Sequence, residues 1–148
     1  MNTSSHTLLL ADDDIDDCLF FKEALEELPF QAALTTVNDG VELMKYLNTD
    51  SNQKPEVIFL DLNMPRKTGF DCLTEIKLSE SLKHLPVFII STSMNIDVVD
   101  SLYEKGAYFY IQKPGCFFQL KTIISKALTI LAENNYQTPS RDQFILHA

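Results

Sequence analysis

Four groups of polar residues in this chain could together handle a phosphoryl group. Each follows a short apolar run: Asp12, Asp13 and Asp14 after the first, Asp61 and Asn63 after the third, Ser91, Thr92 and Ser93 after the fourth, and Lys113 after the fifth. Three carboxylates in one crevice repel one another unless a cation lies among them, and a few oxygen ligands of this kind suit Mg²⁺. A carboxylate can attack phosphorus to form an aspartyl phosphate, while a metal and a lysine neutralise the charge on the transferring group. The combination therefore predicts phosphoryl-transfer chemistry.

The elements that must position these groups follow from the hydrophobic pattern. The apolar runs at 8–11, 57–60 and 87–90 are continuous, which is typical of strands buried on both faces of a parallel sheet. The runs at 34–37 and 108–111 are weaker strand candidates, and helical periodicity follows each run. Five strand–helix units predict a doubly wound α/β domain, in which ligands bind beyond the carboxyl ends of the strands. The first helix is predicted to bury one face, formed by Ile15, Cys18, Leu19, Leu25 and Leu28.

Composition and charge narrow the classes of function. The 148 residues suit one domain, and the net charge of −9 comes from 12 Lys and Arg against 21 Asp and Glu. This excess argues against binding nucleic acid, which requires clustered Lys and Arg. No apolar run approaches the ~18 residues of a membrane span, and the first residues lack the positive charge of a signal peptide. Cys18, Cys72 and Cys116 form no zinc motif. We therefore expect a cytoplasmic protein with no nucleic-acid or membrane partner.

The C-terminal residues depart from the strand–helix pattern. From about Asn134 the chain is polar, and it ends in the apolar stretch 144–146. We divide the chain into a domain at 1–133 and a tail at 134–148, which is either partly ordered or an apolar hook on its own domain or a second subunit. This tail, or the apolar face of the fourth helix with Val98 and Val99, is a candidate seam for a homodimer.

These motifs resemble those of a response-regulator receiver domain of bacterial two-component signalling. The resemblance rests on the stretches 8–14, 57–65 with Gly69, 87–91 and 106–114, and it covers about residues 7 to 133. It implies a flavodoxin-like fold, a five-stranded parallel sheet of order 2-1-3-4-5 flanked by five helices. It also implies a protein that catalyses only its own phosphoryl transfer and autodephosphorylation, and that is otherwise not an enzyme.

The resemblance assigns the metal site and the acceptor residue by position. Asp61 matches the phospho-accepting aspartate, and Asp12 and Asp13 match the acidic pair that holds Mg²⁺ with it. Asn63 matches the position whose backbone carbonyl completes the metal site, and it is also a position that tunes the lifetime of the phosphoryl group.

A second group of positions matches the family's phosphoryl-binding and switch residues. Ser91 and Lys113 match the hydroxyl and the lysine that contact the phosphoryl group. Tyr110 matches an aromatic switch, which turns inward when Ser91 is drawn to that group, and Ser93 is a second tuning position. The family resemblance also implies a cis bond between Lys113 and Pro114. Such a bond is physically reasonable, because X–Pro bonds alone adopt the cis form at low cost.

The resemblance extends to partners and to a subgroup. The implied phosphoryl donor is a sensor histidine kinase or a phosphotransfer protein, and the signal leaves through an unknown protein target. The polar link at 48–55 and the loop at 62–69 resemble those of the small receivers that serve bacterial phytochromes and related sensor kinases. Gly115 departs from the family, which usually has an apolar or aromatic residue there. No output domain follows the fifth helix, so we expect a stand-alone receiver; a phosphate shuttle or sink is the alternative within signalling.

Three other classes of protein fit the same topology less well. A phosphohydrolase of the haloacid-dehalogenase type requires a second aspartate where this chain has Asn63. A flavin-binding domain requires a phosphate-cradling loop where Asp12, Asp13 and Asp14 would repel phosphate. A pseudo-receiver that only binds partners would have no need for the complete set of groups.

Overall fold

The computed structural model describes residues 5–133 and 137–148, and within them it contains six strands, five α-helices and one 3₁₀ turn. The strands are β1 Ser5–Ala11, β2 Gln31–Val37, β3 Val57–Asp61, β4 Val87–Ser91, β5 Phe109–Gln112 and β6 Ile145–Leu146. The helices are α1 Ile15–Glu26, α2 Gly40–Asn48, α3 Gly69–Leu78, α4 Ile96–Glu104 and α5 Phe117–Glu133, and the 3₁₀ turn is Arg141–Gln143.

The strands form one parallel sheet of order β2-β1-β3-β4-β5-β6. The predicted α/β class and the order 2-1-3-4-5 are therefore confirmed. The predicted count of five strands was wrong by one, because β6 adds to the edge of β5 with Ile145 beside Tyr110. The sequence marks 144–146 as apolar, but a strand of two residues is too short to show the pattern that identifies a strand.

Helices cover both faces of the sheet, as the doubly wound architecture requires. Every residue of β3 and β4 is buried, which explains why these two runs are continuously apolar. Side chains such as Leu9 and Leu60 pack under α2, α3 and α4. Their neighbours along the strands, such as Leu10 and Phe59, pack under α1 and α5. The loops that carry the polar residues therefore begin at the ends of a fully buried layer.

The buried face of α1 differs from the predicted one. The structure buries Cys18 and Phe21, together with Ala24 and Leu25, against the sheet. Ile15 and Leu19, which were predicted to be buried, are 69% and 53% exposed. Phe21 has a larger apolar side chain than Leu19, and it continues the i, i+3, i+7 spacing that starts at Cys18. The helix was therefore predicted correctly, but its buried face is rotated about the helix axis relative to the predicted face.

Capping residues fix the points at which four helices begin, and Asp39 is the cap of α2. The Asp14 side chain accepts a hydrogen bond from the Asp17 N–H and caps α1. Thr68 caps α3 through a capping box with Asp71, and Asn95 caps α4. All four caps lie in loops that follow the carboxyl end of a strand. The acidic, hydroxyl and amide residues near this edge of the sheet therefore divide into caps and residues left free for chemistry.

Residues 137–148 pack on the edge of the sheet beyond β5. Phe144 is completely buried, and its backbone carbonyl accepts a hydrogen bond from the Tyr110 N–H. The predicted boundary between domain and tail, at residues 133 and 134, borders residues 134–136, which lie outside the described part of the chain. In the described ranges, none of the helices combines the length and the hydropathy needed to cross a membrane.

Candidate functional site

The first acidic residues of the site lie where β1 ends. Asp12 is 2% exposed, and its Oδ1 accepts a hydrogen bond from the Asp14 N–H at 2.9 Å. Asp13 is exposed beside it. Because α1 begins directly after the Asp14 cap, the backbone turns sharply here and leaves both carboxylates at the carboxyl edge of the sheet.

The acceptor candidate Asp61 is the last residue of β3 and is 5% exposed. Parallel pairing places Ala11 beside Leu60, so the residues that follow them, Asp12 and Asp61, reach the same height in the sheet. The backbone after Asp61 is held by a 2.9 Å hydrogen bond from the Gly69 N–H to the Leu62 carbonyl. Asp61 is therefore fixed on a buried strand and also by the turn that leads towards α3.

Lys113 follows the carboxyl end of β5, and its side chain reaches the acidic residues from there. Its Nζ lies 2.8 Å from Asp17 Oδ2, 3.2 Å from Asp12 Oδ2 and 3.6 Å from Asp61 Oδ2. Its backbone N–H donates to the Ser91 carbonyl at 2.8 Å. The structure therefore brings Asp12, Asp61 and Lys113 into contact, although they come from three separate strand ends.

Asp17 was not predicted as a member of the site. It lies in the first turn of α1, where an acidic residue usually serves the helix N-terminus. Its position three residues after the Asp14 cap is the only signal in the sequence, and this signal is shared by ordinary helix starts. The contact with Lys113 appears only when β5 and α1 are folded together.

The hydroxyl residues form a second chain of contacts beside the carboxylates. Ser91 is completely buried at the end of β4, and its Oγ accepts a hydrogen bond from the Ser93 N–H at 3.1 Å. The Tyr110 hydroxyl donates to the Ser93 carbonyl, and the Tyr110 side chain is completely buried. Ser91 and Tyr110 are thus linked through the backbone of Ser93.

Three details concern the remaining predicted positions. The side chain of Asn63 is exposed, and its backbone N–H approaches Asp61 Oδ1 at 3.4 Å. Ser93 is also exposed, and its Oγ accepts a hydrogen bond from the Asn95 N–H. The cis bond expected between Lys113 and Pro114 was wrong, because the peptide bonds of the described residues are all trans. The trans isomer is the favoured one even before proline.

Known proteins resemble this chain in both sequence and fold. The family model for the response regulator receiver domain matches residues 8–125. The chain belongs to the response regulator receiver family. It is 34% identical over 110 residues to the response regulator Rcp1 of a Synechocystis strain, a match that spans 72% of this chain and 75% of Rcp1.

Solved structures of receivers superpose closely on this one. The phosphorylated cyanobacterial phytochrome response regulator RcpA aligns with a TM-score of 0.82 at 32% identity, covering 93% of this chain and all of RcpA. The Mn²⁺-bound form of Rcp1 aligns with a TM-score of 0.76 at 28% identity, covering 91% of this chain and 99% of Rcp1. The predicted resemblance to the small receivers of phytochrome signalling is confirmed by the likeness to RcpA.

Burial and mutual repulsion shape the charges of this receiver site. Burial, followed by the charge of Asp12, raises the pKa of Asp61 from 3.8 to about 6, although Lys113 opposes the change. Burial also raises the pKa of Asp12, against the Asp14 N–H and Lys113. Burial alone would lower the pKa of Lys113, but the hydrogen bond to Asp17 and the charges of Asp12 and Asp61 raise it. The lysine is therefore charged at neutral pH, while the carboxylates carry unfavourable repulsion.

The same repulsion makes the site suited to a divalent cation. Carboxylate oxygens of Asp12, Asp13 and Asp61 all lie within 4.8 Å of one another. These donors are oxygens only, two of the three residues are buried, and a single lysine does not balance their charge. Such a set fits Mg²⁺ or Mn²⁺ better than a metal that prefers nitrogen or sulfur.

We expect Asp61→Asn to stabilise the metal-free protein at neutral pH. An acid whose pKa is higher in the folded than in the unfolded protein binds its proton more tightly in the folded state. Proton binding by Asp61 therefore stabilises the fold, and this contribution to the free energy of unfolding is complete below about pH 4. That contribution is lost as the pH rises through about 6. The ionised carboxylate then costs about 3 kcal/mol at neutral pH. The gain from Asp61→Asn, measured by urea unfolding in EDTA, should thus grow from near zero at pH 4 to about 2–3 kcal/mol at pH 7.

Asp50→Asn is a suitable control, because Asp50 is an exposed carboxyl group in the loop before β3. Its effect on the free energy of unfolding should be small. Mg²⁺ should stabilise the wild type more than Asp61→Asn, since a ligand stabilises the folded protein more when it binds it more tightly. A variant with the same pH dependence as the wild type would contradict this electrostatic account.

Proposed function

We propose that this receiver accepts a phosphoryl group on Asp61 from a histidine kinase or a phosphotransfer protein, with Mg²⁺. It then signals through protein contacts that depend on phosphorylation. The observation that carries this proposal is the convergence of Asp12, Asp61 and Lys113 within 3.6 Å contacts at one edge of the sheet. A site for phosphoryl transfer requires this combination of a nucleophile, acidic metal ligands and a fixed positive charge.

Each residue has a distinct part in the proposed transfer. An oxygen of the Asp61 carboxylate attacks phosphorus, a P–O bond forms, and the P–N bond to the donor imidazole breaks with its electron pair leaving on nitrogen. Asp12, Asp13, Asp61 and the backbone carbonyl of Asn63 would hold Mg²⁺, which supplies charge neutralisation at the phosphoryl oxygens.

Lys113 and Ser91 supply the remaining contacts to the phosphoryl group. The Lys113 ammonium is positioned by Asp12 and Asp17, so it is ready to pair with a phosphoryl oxygen on Asp61. The Ser91 hydroxyl accepts a hydrogen bond from the Ser93 N–H, and in the proposed transfer it donates its own hydrogen to a phosphoryl oxygen. Asn63 and Ser93 are exposed beside the site, where their side chains could alter the approach of water and hence the phosphoryl lifetime.

The donor and the cellular setting are part of the same proposal. The likeness to RcpA, a phytochrome response regulator, supports a sensor histidine kinase as the donor. Such a kinase presents its phosphohistidine in the cytoplasm, so we place this receiver there. We take the downstream target to be a protein, because a net charge of −9 disfavours binding to nucleic acid.

The decisive experiment is the intact mass of the protein after incubation with acetyl phosphate or phosphoramidate, with Mg²⁺ or with EDTA. We expect the wild type and the Asp50→Asn control to gain one phosphoryl group only with Mg²⁺, and Asp61→Asn to gain none. Labelling that persists in Asp61→Asn would contradict the assigned acceptor. A wild type that neither gains mass nor binds Mg²⁺ would favour a receiver that only binds partners.

A further inference from the structure

The C-terminal segment, residues 137–148, lies directly against the switch residue Tyr110. Strand β6 pairs Ile145 with Tyr110, and the Tyr110 N–H donates to the Phe144 carbonyl at 3.0 Å. The Phe144 side chain is completely buried. Its ring centroid lies 5.1 Å from that of Tyr103 on α4 and 6.4 Å from that of Tyr110. Phe144 therefore fills the space between α4 and β5 next to the tyrosine.

Polar contacts attach the C-terminal segment to the domain on both sides of Phe144. Arg141 Nε lies 2.6 Å from Asp100 Oδ1 on α4, and the Tyr103 hydroxyl donates to the Pro139 carbonyl at 3.0 Å. On the other side, Lys126 of α5 donates to the His147 carbonyl at 2.6 Å. The segment is thus anchored to the two helices that flank the edge of β5.

A continuous chain of contacts leads from Phe144 to the site. The Tyr110 ring packs beside Phe144, and the Tyr110 hydroxyl holds the Ser93 carbonyl. The Ser93 N–H in turn holds Ser91 Oγ, at the strand end next to Asp61, since the register places Asp61 beside Ile90. Because Tyr110 is completely buried, it can turn outward only if a covering group moves. Phe144 is the covering group that belongs to the C-terminal segment.

We propose that Phe144 is a positioning residue for phosphoryl transfer, acting through Tyr110. By keeping Tyr110 turned inward, it holds Ser93 against Ser91 and leaves the Ser91 hydrogen available to a phosphoryl oxygen on Asp61. Docking of the C-terminal segment and phosphorylation of Asp61 therefore favour each other, and the coupling is reciprocal. This inference rests on the proposed function, because it requires phosphorylation of Asp61.

The first arm of the test measures the fraction of phosphorylated protein at steady state, with acetyl phosphate and Mg²⁺, on the full chain. Phe144→Ala should lower the ratio of phosphorylated to unphosphorylated protein at least fivefold, the lower end of typical coupling between sites. Phe144→Leu, which keeps an apolar group against Tyr110, should restore most of it. Phe118→Ala is the matched control, because Phe118 is a 73% exposed phenylalanine on α5, and it should leave the ratio unchanged.

The second arm measures hydrogen exchange of the Tyr110 amide, which donates to Phe144. Phosphorylation should slow this exchange in the wild type, and acetyl phosphate should have no effect in Asp61→Asn. Arg141→Ala removes a partly exposed anchor and truncates no core side chain, so it loosens the segment even if Phe144→Ala fails to fold. It should lower the phosphorylated fraction in the same direction.

The outcomes separate this inference from the proposed function. If the wild type is phosphorylated but folded Phe144→Ala and Arg141→Ala match it, the positioning role is excluded while the proposed function stands. Faster exchange of the Tyr110 amide on phosphorylation would also overturn the inference, since it would show that phosphorylation releases the segment. A wild type that is never phosphorylated would overturn both.

Discussion

Replacing Lys113 with alanine is expected to destabilise the metal-free protein by about 2–3 kcal/mol at neutral pH and to slow phosphoryl acceptance at least ~100-fold. Its ammonium lies 2.8 Å from Asp17 and 3.2 Å from Asp12, and it is 3.6 Å from Asp61. Removing it leaves Asp12 and Asp61 buried without a compensating charge. The transferring phosphoryl group also loses the fixed positive charge that the site holds ready.

The pH dependence identifies the cause of this destabilisation. Because burial and mutual repulsion already raise the pKa values of Asp12 and Asp61, both accept protons more readily once Lys113 is absent. The difference in free energy of unfolding between wild type and Lys113→Ala should therefore shrink as the pH falls towards 4. Saturating Mg²⁺ should also reduce it, since a cation replaces part of the missing charge. Urea unfolding at several pH values, with EDTA and with Mg²⁺, measures both effects.

Lys121→Ala is the matched control for this variant. Lys121 also forms an ion pair, with Glu27 at 3.0 Å, but the two side chains are 29% and 55% exposed. A surface pair of this kind contributes at most about 1 kcal/mol, and it has no part in phosphoryl transfer. If Lys113→Ala and Lys121→Ala had equal effects on stability and on acceptance, the role assigned to Lys113 would be wrong.

The layout of the site could be predicted because its residues follow strands of one parallel sheet. The runs that became β3 and β4 are apolar throughout, since both faces of these strands are buried. Once such runs are recognised, the residues directly after them must meet at one edge. Asp12, Asp61 and Lys113 do meet there. The spacing along the sequence therefore carries enough information to place these three groups together.

Other features depend on contacts that leave no local pattern. Asp17 looks like any acidic residue in the first turn of a helix, and its contact with Lys113 joins positions 96 residues apart. The two residues of β6 are too few for a strand signal, and their pairing with β5 depends on Phe144 entering a space between α4 and β5. The orientation of α1 depends on how Phe21, rather than Leu19, fits against Phe59. These three features are determined only by packing in the assembled core.

Gly69→Ala is expected to have the other large effect, because Gly69 touches the backbone that carries the acceptor. A Cβ at this position would lie 2.2 Å from the Asp61 carbonyl oxygen and 2.8 Å from the Leu62 Cα. Both neighbours are backbone atoms, so a side-chain rotation cannot relieve the overlap. Gly69 is the first residue of α3, whose start is fixed by the Thr68 cap. We expect a loss of about 2–3 kcal/mol in the free energy of unfolding.

The same substitution should also impair the chemistry, and Gly115→Ala supplies the comparison. Relief of the overlap must move Asp61 or the start of α3, and a displacement of ~1 Å at a reacting group can slow a reaction about 100-fold.

A Cβ added at Gly115 would meet no atom within 4 Å beyond its chain neighbours, and the φ of Gly115 is not positive. Its replacement should therefore change stability by less than about 1 kcal/mol, with stabilisation expected. Urea unfolding and Mg²⁺-dependent labelling by acetyl phosphate, measured on both variants, test the two effects together. If Gly69→Ala were labelled to the same extent as the wild type, the turn after β3 would have adapted, and Asp61 would be held by its strand alone.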